Sequence, residues 1–436
     1  MNAPLKIGIA GLGTVGSGVF QLLEHNAALL ADRMQRSVVV TAVSARSKGK
    51  SRGIDLGKVK WHDNPVDLAG DKDVDVVVEL MGGAFGPAYD LIKKALENNK
   101  PVVTANKALL ALRGAEVLAL LKNSKGGTIS YEAAVAGGVP VIKGLREGLA
   151  ANKINAVYGI LNGTCNFILS EMRATGGSFD DILKQAQAKG YAEADPSFDI
   201  DGIDASHKLS ILAGLAFGCV PDVASVRTKG IRNVKAVDIA FASELGHRIK
   251  LLGIARRTAR GIEQSVEPCL VPKTTPVAHI EGAQNAVYVD GDYSGKILLT
   301  GAGAGSRATA SAVVADIIDV ARGRVALPLL GVADPQRLKP ANIDERTGSY
   351  FLRLMVLDEP GVIADVSAIL RDCNVSLESV LQRGHAPGQP VPVILTSHKT
   401  AEGDILKAAG LIGKLNSSVE PPHLMRIETF ENGAMT

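Results

Sequence analysis

No apolar run in this 436-residue chain approaches the ~20 residues that a membrane-spanning helix requires. An excess of one charge is missing as well: 48 lysines and arginines nearly balance 45 acids, leaving a net charge of +3. That balance favours neither nucleic acid nor a membrane surface as a partner. Cysteine is sparse, and Cys165, Cys219, Cys269 and Cys373 lie too far apart for a metal-ligand spacing, which points to a reducing cytoplasm. The eight histidines are equally scattered, and His207 reads as a packing or hydrogen-bonding residue rather than a ligand. The opening residues, MNAPLKIGIAG, pass straight into a strand pattern and leave no room for a secretion signal. What is present is a chain 46% apolar and 21% charged, long enough for two or three domains.

The densest chemistry lies in Ala186 to Lys208, AQAKGYAEADPSFDIDGIDASHK, where Glu193, Asp195, Asp199, Asp201 and Asp204 precede Lys208. Gly190-Tyr191 and Asp195-Pro196 break the chain, so one helix ends near Lys189 and a loop carries Glu193. A second helix is expected from about Asp199, with acids in the first turn where the macrodipole favours them. On that helix Asp204 and Lys208 are four apart and share a face with Ile200, Ile211 and Leu215. Two readings stand side by side. The pair is a solvated salt bridge of little consequence, or a buried acid–lysine couple kept for its chemistry.

This stretch resembles the signature of homoserine dehydrogenases. Ala186, Gly190, Asp195, Pro196, Asp199, Gly202, Asp204 and Lys208 carry the resemblance, which extends over essentially the whole chain. It implies an NAD(P)-dependent oxidoreductase that interconverts L-homoserine and L-aspartate 4-semialdehyde in threonine, methionine and isoleucine biosynthesis.

Lys6–Ala10 reads as a buried strand, followed by Gly11-Leu12-Gly13-Thr14-Val15-Gly16 and an apolar helix through Leu30. Strand, glycine turn and helix together make a dinucleotide fingerprint. Gly11 permits the tight turn, Gly13 lets backbone approach a pyrophosphate, and Gly16 lets helix pack on strand. A second strand, Val38–Val43, ends in Ser44-Ala45-Arg46-Ser47-Lys48, without the acid that usually holds an NAD ribose. Arg46 and Lys48 favour NADP if they meet a 2′-phosphate; otherwise they are solvated loop residues. Strands at Val74–Leu80 and Pro101–Thr104 alternate with helices at Pro87–Asn98 and Leu109–Leu121, as in a Rossmann-type α/β sheet. Thr104 and Lys107 then lie just past a strand's carboxyl end, where such sheets bind ligands. The resemblance implies cofactor-binding and catalytic duty for Lys107. It also implies a monovalent cation, commonly sodium, on the main-chain carbonyls of Glu132, Val135, Gly137 and Val139.

From Ile154 the pattern changes to an α+β substrate domain. A strand is expected at Ala156–Leu161 and helices at Asn166–Arg173, Phe179–Ala188, Asp199–Phe217 and Asp238–Leu252. Short strands are expected at Glu267–Val271, Val287–Val289 and Ile297–Thr300. The glycines around Gly303 precede a helix at Ala308–Ala321, which the resemblance returns to the dinucleotide domain to close the cofactor site; a plain structural turn is the other reading. The proline-containing segment 326–349 reads as a linker. Beyond it a βαββαβ order describes a ferredoxin-like unit. That unit looks like an ACT regulatory domain, with threonine as the expected effector; its alternative is a dimerisation module. The expected division is 1–132 plus about 302–325 for dinucleotide, 133–301 for substrate and dimerisation, and 350–436 for ACT. A homo-oligomer, dimer or tetramer, is expected.

Hydride leaves an alcohol carbon readily only if the hydroxyl proton leaves too, so a general base must reach that oxygen. Lys208 is the first candidate, with Lys107 as its partner, since two close ammonium groups disfavour each other's charge. Asp204 orients substrate or lysine, Glu193 accepts the substrate ammonium, and Gly190 and Asp199 complete the substrate set. One rival is an aldehyde dehydrogenase with Cys165 of Asn-Gly-Thr-Cys-Asn as nucleophile, against a small buried cysteine. Another is a non-catalytic sensor of dinucleotide and amino acid, which would need no proton shuttle.

Overall fold

The computed structural model describes residues 3–324, 328–383 and 386–430. The expected domain boundary at 325–326 thus falls outside the described residues. The N-terminal strands are β1 (Leu5–Ala10), β2 (Val38–Ser44), β3 (Lys60–Trp61), β4 (Val76–Glu79), β5 (Val102–Thr104) and β6 (Ile129–Ser130). They form one parallel sheet in the order β3-β2-β1-β4-β5-β6. Between them run α1 (Thr14–His25), α2 (Ala27–Met34), α3 (Asp67–Gly70), α4 (Pro87–Glu97) and α5 (Lys107–Asn123). The helix expected through Leu30 is therefore two, parted at Asn26, whose φ of −102° and ψ of 19° are not helical.

β4 is buried along its whole length, as a strand covered on both faces must be. Ile7, Ile9, Val76 and Val78 face one cluster with Val19 of α1; Val77 and Val102 face the other, with Leu91 and Leu109. The alternation is the strand period of two resolved into two cores.

A short helix, α6 (Val141–Lys143), runs into a π-turn over Gly144–Gly148 and leads to β7 (Ile154–Ile160). Then follow α7 (Gly163–Thr175), α8 (Phe179–Ala188), α9 (Ser197–Ile200), α10 (Ile203–Phe217), β8 (Arg227–Thr228) and α11 (Ala236–Glu244). The helix expected from Asp199 is thus broken: Gly202 adopts a left-handed φ of +84° and separates α9 from α10. The expected helix over Asp238–Leu252 is also corrected. It stops at Glu244, Gly246 turns the chain at φ +79°, and β9 (His247–Thr258) begins. That stretch satisfies helix spacing locally, but it pairs with β10 along its whole length, and from Gly253 on β9 pairs with β7 as well.

β9 pairs with β10 (Gly261–Pro272), and β11 (Gln284–Gly291) lies between β7 and β12 (Gly295–Ala302). Next, α12 (Ser306–Ala321) crosses back to pack on α1. Residues 328–346 are not a free spacer: Leu329 and Leu330 are buried, and Tyr131 donates its hydroxyl to the Leu329 carbonyl at 2.6 Å.

The C-terminal unit comprises β13 (Thr347–Leu357), α13 (Val362–Asp372), β14 (Leu377–Gln382), β15 (Pro390–Ser397), β16 (Thr400–Ala401), α14 (Glu402–Ile412) and β17 (His423–Ile427). Its main strands take the order β17-β13-β15-β14, the split βαβ arrangement. This sheet continues the one before it. β17 pairs in parallel with β10, Cys269 opposite Arg426 and Leu270 opposite Ile427, giving one 11-stranded sheet. Among the described residues, no helix is long and apolar enough to cross a membrane.

Candidate active site

α10 is buried along nearly its entire length, between α5 on one side and β7 and β9 on the other. A helix so enclosed has nowhere solvated to put its charges, so Asp204 and Lys208 must be satisfied inside. Lys208, 9% exposed, donates to Asp204 Oδ2 at 2.8 Å and to the Leu161 carbonyl at 2.8 Å. The solvated reading of this pair is therefore excluded. Lys107, the first residue of α5, reaches Asp204 Oδ1 at 2.9 Å from the dinucleotide side. Burial on its own would push the Asp204 carboxyl up; Lys208 and Lys107 outweigh it and hold the group well below the usual carboxylate range. The two amines thus do not face each other bare, as expected from proximity alone, but share one carboxylate.

Asn162 completes the cluster. Its Nδ2 donates to Asp204 Oδ2 at 3.0 Å and to Asp199 Oδ1 at 2.8 Å, while its Oδ1 caps α7 at Cys165 N. Asp199 also accepts from the Thr164 hydroxyl at 3.2 Å. The break at Gly202 lets Asp199, on α9, and Asp204, on α10, converge on one amide. This bridging role of Asn162 carries no local signal in the sequence.

Glu193 lies on an exposed loop after Gly190, whose φ is +75°, and the contact made there is from Gln187 Nε2 to the Glu193 carbonyl at 3.0 Å. Neither residue joins the Asp204 cluster. Phe198, half-exposed, packs edge-on against His207 at 5.6 Å and lies 5.8 Å from the Lys107 ammonium. His207 is a packing residue, its buried Nδ1 finding no hydrogen-bond partner among the described residues.

The glycine turn meets its expected demands. Gly11 has a φ of +99°, and a Cβ there would fall 2.6 Å from the Leu80 carbonyl oxygen. A Cβ on Gly16 would fall 2.0 Å from the Gly11 oxygen, whereas one on Gly13 would meet nothing within 4 Å. The open space at Gly13, ahead of the α1 N-terminus, fits a bound pyrophosphate. Leu12, Thr14 and Val15 continue the turn, and the Thr14 carbonyl accepts from Ser306 Oγ of α12 at 2.9 Å. Arg46 is exposed just past β2. Arg52, unnoticed in the sequence, folds that loop back by donating to the Leu12 carbonyl at 3.1 Å.

Glu79 is a second residue the sequence did not single out. Fully buried at the end of β4, it accepts from Met81 N at 2.7 Å, Gly82 N at 3.0 Å and Thr104 Oγ1 at 2.7 Å. Asn106 donates to the Gly83 carbonyl at 2.7 Å and caps α5 at Leu109 N. Together they lock the two loops beside Lys107. An acid closing an apolar strand just before Met-Gly-Gly was the available clue. Gly303 sits where a Cβ would fall 2.0 Å from the Asn285 side chain, and Asn285 donates to the same Leu161 carbonyl that holds Lys208.

At the expected cation segment, Ala136 and Gly137 are consecutive left-handed residues, with φ of 56° and 51°. The bend is closed by Val139 N on the Ala136 carbonyl at 3.0 Å, and the Val139 carbonyl accepts from Val141 N at 2.8 Å. A carbonyl set of this kind fits a hard cation by donor type. Among the described residues, no group of three or more His, Cys, Asp or Glu is placed to hold a metal. Cys165 is fully buried, burial pushes its thiol well up, and its Sγ donates to the Asp199 carbonyl at 3.2 Å. Such a thiol is a poor nucleophile.

Residues 140–318 match the family model for homoserine dehydrogenase, and residues 11–132 match that for the homoserine dehydrogenase NAD-binding domain. A homoserine dehydrogenase of Neisseria gonorrhoeae is 44% identical over 436 residues, covering 98% of this chain and 100% of that one. This chain belongs to the homoserine dehydrogenase family. A solved homoserine dehydrogenase from Thiobacillus denitrificans superposes with a TM-score of 0.90 at 44% identity, covering 98% of each chain. A hyperthermophilic archaeal homoserine dehydrogenase solved in complex with NADPH aligns with a TM-score of 0.61 at 29% identity, over 72% of this chain and 97% of that one. The enzyme is accordingly an NAD(P)-dependent oxidoreductase interconverting homoserine and aspartate 4-semialdehyde.

Proposed function

We propose that Lys208 exchanges the proton of the substrate hydroxyl, that Asp204 holds it in place, and that Lys107 assists from the cofactor side. The observation carrying this reading is one buried carboxylate shared by two lysines from different domains. When bound, the nicotinamide accepts or supplies the hydride. The chain's part is proton handling. An ammonium has three N–H donors, and Lys208 spends two on Leu161 and Asp204, leaving one for the substrate oxygen. In the reducing direction that donor delivers a proton to the aldehyde oxygen as hydride arrives at its carbon. In the oxidising direction the same amine, deprotonated, receives it. Asp199, Gly190 and Glu193 are read as the substrate-binding rim, with Glu193 meeting the substrate ammonium.

For the cofactor, Gly11 to Gly16 are read as the phosphate cradle, with Thr104 and Gly303 beside it. Arg46, with no acid at the end of β2, favours NADP over NAD, in line with the NADPH bound by the archaeal relative. The carbonyls of Glu132, Val135, Gly137 and Val139 would hold a sodium ion that keeps the bend after β6 in place. The C-terminal unit is read as an ACT-type regulatory module responding to threonine, in a cytoplasmic homo-oligomer; four free cysteines fit that compartment. The deciding experiment is Lys208→Ala, assayed with homoserine and NADP or NAD by reduced-nicotinamide absorbance. Turnover is expected to vanish while dinucleotide binding persists; near-normal kcat removes Lys208 from its role.

A further inference from the structure

We infer that residues 227–232 form a positioning strap that ties the C-terminal unit to the α9–α10 break and thereby aims Asp199 and Asp204. The strap is anchored at one end on Glu402, the first residue of α14, which is 1% exposed and paired with Arg227. Glu402 is itself fixed: Arg346 donates to it at 2.7 Å and the Tyr350 hydroxyl at 3.2 Å, while Arg346 also reaches Glu267 of β10 at 2.6 Å. From Arg227 the strap runs as β8 alongside Ser265 and Val266 of β10, and Lys229 N donates to the Val266 carbonyl at 2.7 Å.

Its other end grips the break. Ile231 N donates to the Ile200 carbonyl at 2.9 Å, at the last residue of α9. Arg232 binds both carboxylate oxygens of Asp201, at 2.5 and 3.0 Å, and the Ser197 hydroxyl at 3.0 Å. Gly202, the left-handed residue that separates the helices, would with a Cβ touch Thr228 at 3.0 Å and Val266 at 3.2 Å. Gly230 leaves no slack, since a Cβ there would fall 2.2 Å from the Ile200 oxygen and 2.5 Å from the Asp201 Cα. Asp199 and Asp204 flank this clamped segment and converge on Asn162. Their convergence depends on the angle between α9 and α10, and the strap sets that angle. The C-terminal unit therefore acts on substrate geometry through Glu402 and Arg227. None of these residues touches the reacting atoms; they act through Asp199 and Asp204.

The inference rests on the proposed roles of Asp204 and Lys208, so Lys208→Ala is the reference. Three full-length variants are compared with the parent: Arg227→Gln with Glu402→Gln together, Gly230→Ala, and Arg232→Gln. Arg260→Gln serves as a control, because its exposed bridge ties the β9–β10 turn to Glu345 of the connecting segment, away from the strap. The strap variants are expected to raise the homoserine KM about five-fold or more, and to lower kcat, with the NADP Kd within about two-fold of the parent. Arg260→Gln moves none of these. If folded strap variants melt earlier but keep parental homoserine KM and kcat, the strap is merely structural and the inference falls. If the paired variant does not fold, Gly230→Ala and Arg232→Gln decide alone by the same readout. Normal turnover in Lys208→Ala would instead overturn the site assignment itself.

Discussion

Lys107 and Lys208 meet on opposite oxygens of the Asp204 carboxylate, at 2.9 and 2.8 Å. One lysine opens a helix of the dinucleotide domain and the other lies in the middle of a buried helix of the substrate domain. The carboxylate thus both ties the two domains together and serves as counter-ion for two amines. Replacing it with Asn162's chemistry, an amide, keeps the shape and removes the charge. Asp204→Asn is expected to cost on the order of 3–5 kcal/mol of stability, since it leaves a buried ammonium uncompensated. It should lower kcat about 10²–10⁴-fold, the range for a displaced proton-transfer group. Thermal melting and steady-state assay of the same preparation check both figures.

Cys165 offers a sharp test against thiol chemistry. Its Sγ is buried and donates to the Asp199 carbonyl, a bond that a serine hydroxyl can also make. Cys165→Ser should therefore keep kcat within about three-fold and cost roughly 1 kcal/mol for the altered buried group. A loss of turnover in the folded variant would return the aldehyde dehydrogenase mechanism to contention.

Two glycines of one turn should respond oppositely to the same substitution. Gly13→Ala has free space for its methyl, so the melting temperature should hold while the dinucleotide Kd rises. Gly16→Ala places the methyl 2.0 Å from the Gly11 oxygen and should lower stability by about 2 kcal/mol or more before any binding is measured. Calorimetry with and without NADP separates the two effects.

Lys250 gives the pH prediction. Buried beside Asn166 Oδ1 at 3.1 Å and the Ile280 carbonyl, its amine is pushed by burial from the ordinary 10.5 down to about 8, Glu281 resisting. Between these two values the unfolded chain binds more protons than the folded one, so stability rises with pH across that window and the penalty is full below pH 8. Urea unfolding should show the parent gaining on Lys250→Met by on the order of 2 kcal/mol from pH 7 to pH 10. A constant difference across that range would rule out a titrating Lys250.

The glycine turn, the parallel strands and the helix bearing Asp204 and Lys208 were legible because each is a local pattern with its own period. The burial of the pair was half-legible: Ile211 and Leu215 marked an apolar face, but Ile200 belongs to α9, and only tertiary packing encloses α10 on both sides. Asn162 was not legible, since its partners Asp199 and Asp204 are distant along the chain, whereas Glu79 was marked only by its place at the end of an apolar strand. The first half of β9, to Leu252, was read as the end of a helix because Ile249, Leu251 and Leu252 fit either period, and its pairing with β10 settles it. The break at Gly202 was missed for a related reason. Acids in a first turn suit a helix start, and the residue where that turn begins depends on Ile231 and Arg232 holding the preceding one.

The parallel seam between β10 and β17 makes the C-terminal unit inseparable from the rest in practice. A chain cut ahead of β13 would present a bare strand edge at Cys269–Leu270 as a template for self-association. It would also strand Asp238 and Arg256 in the interior without Arg353 and Glu428, and leave Arg346 without Glu402. Loss of activity in such a fragment would report a broken scaffold, and only single-residue changes can tell regulation from support.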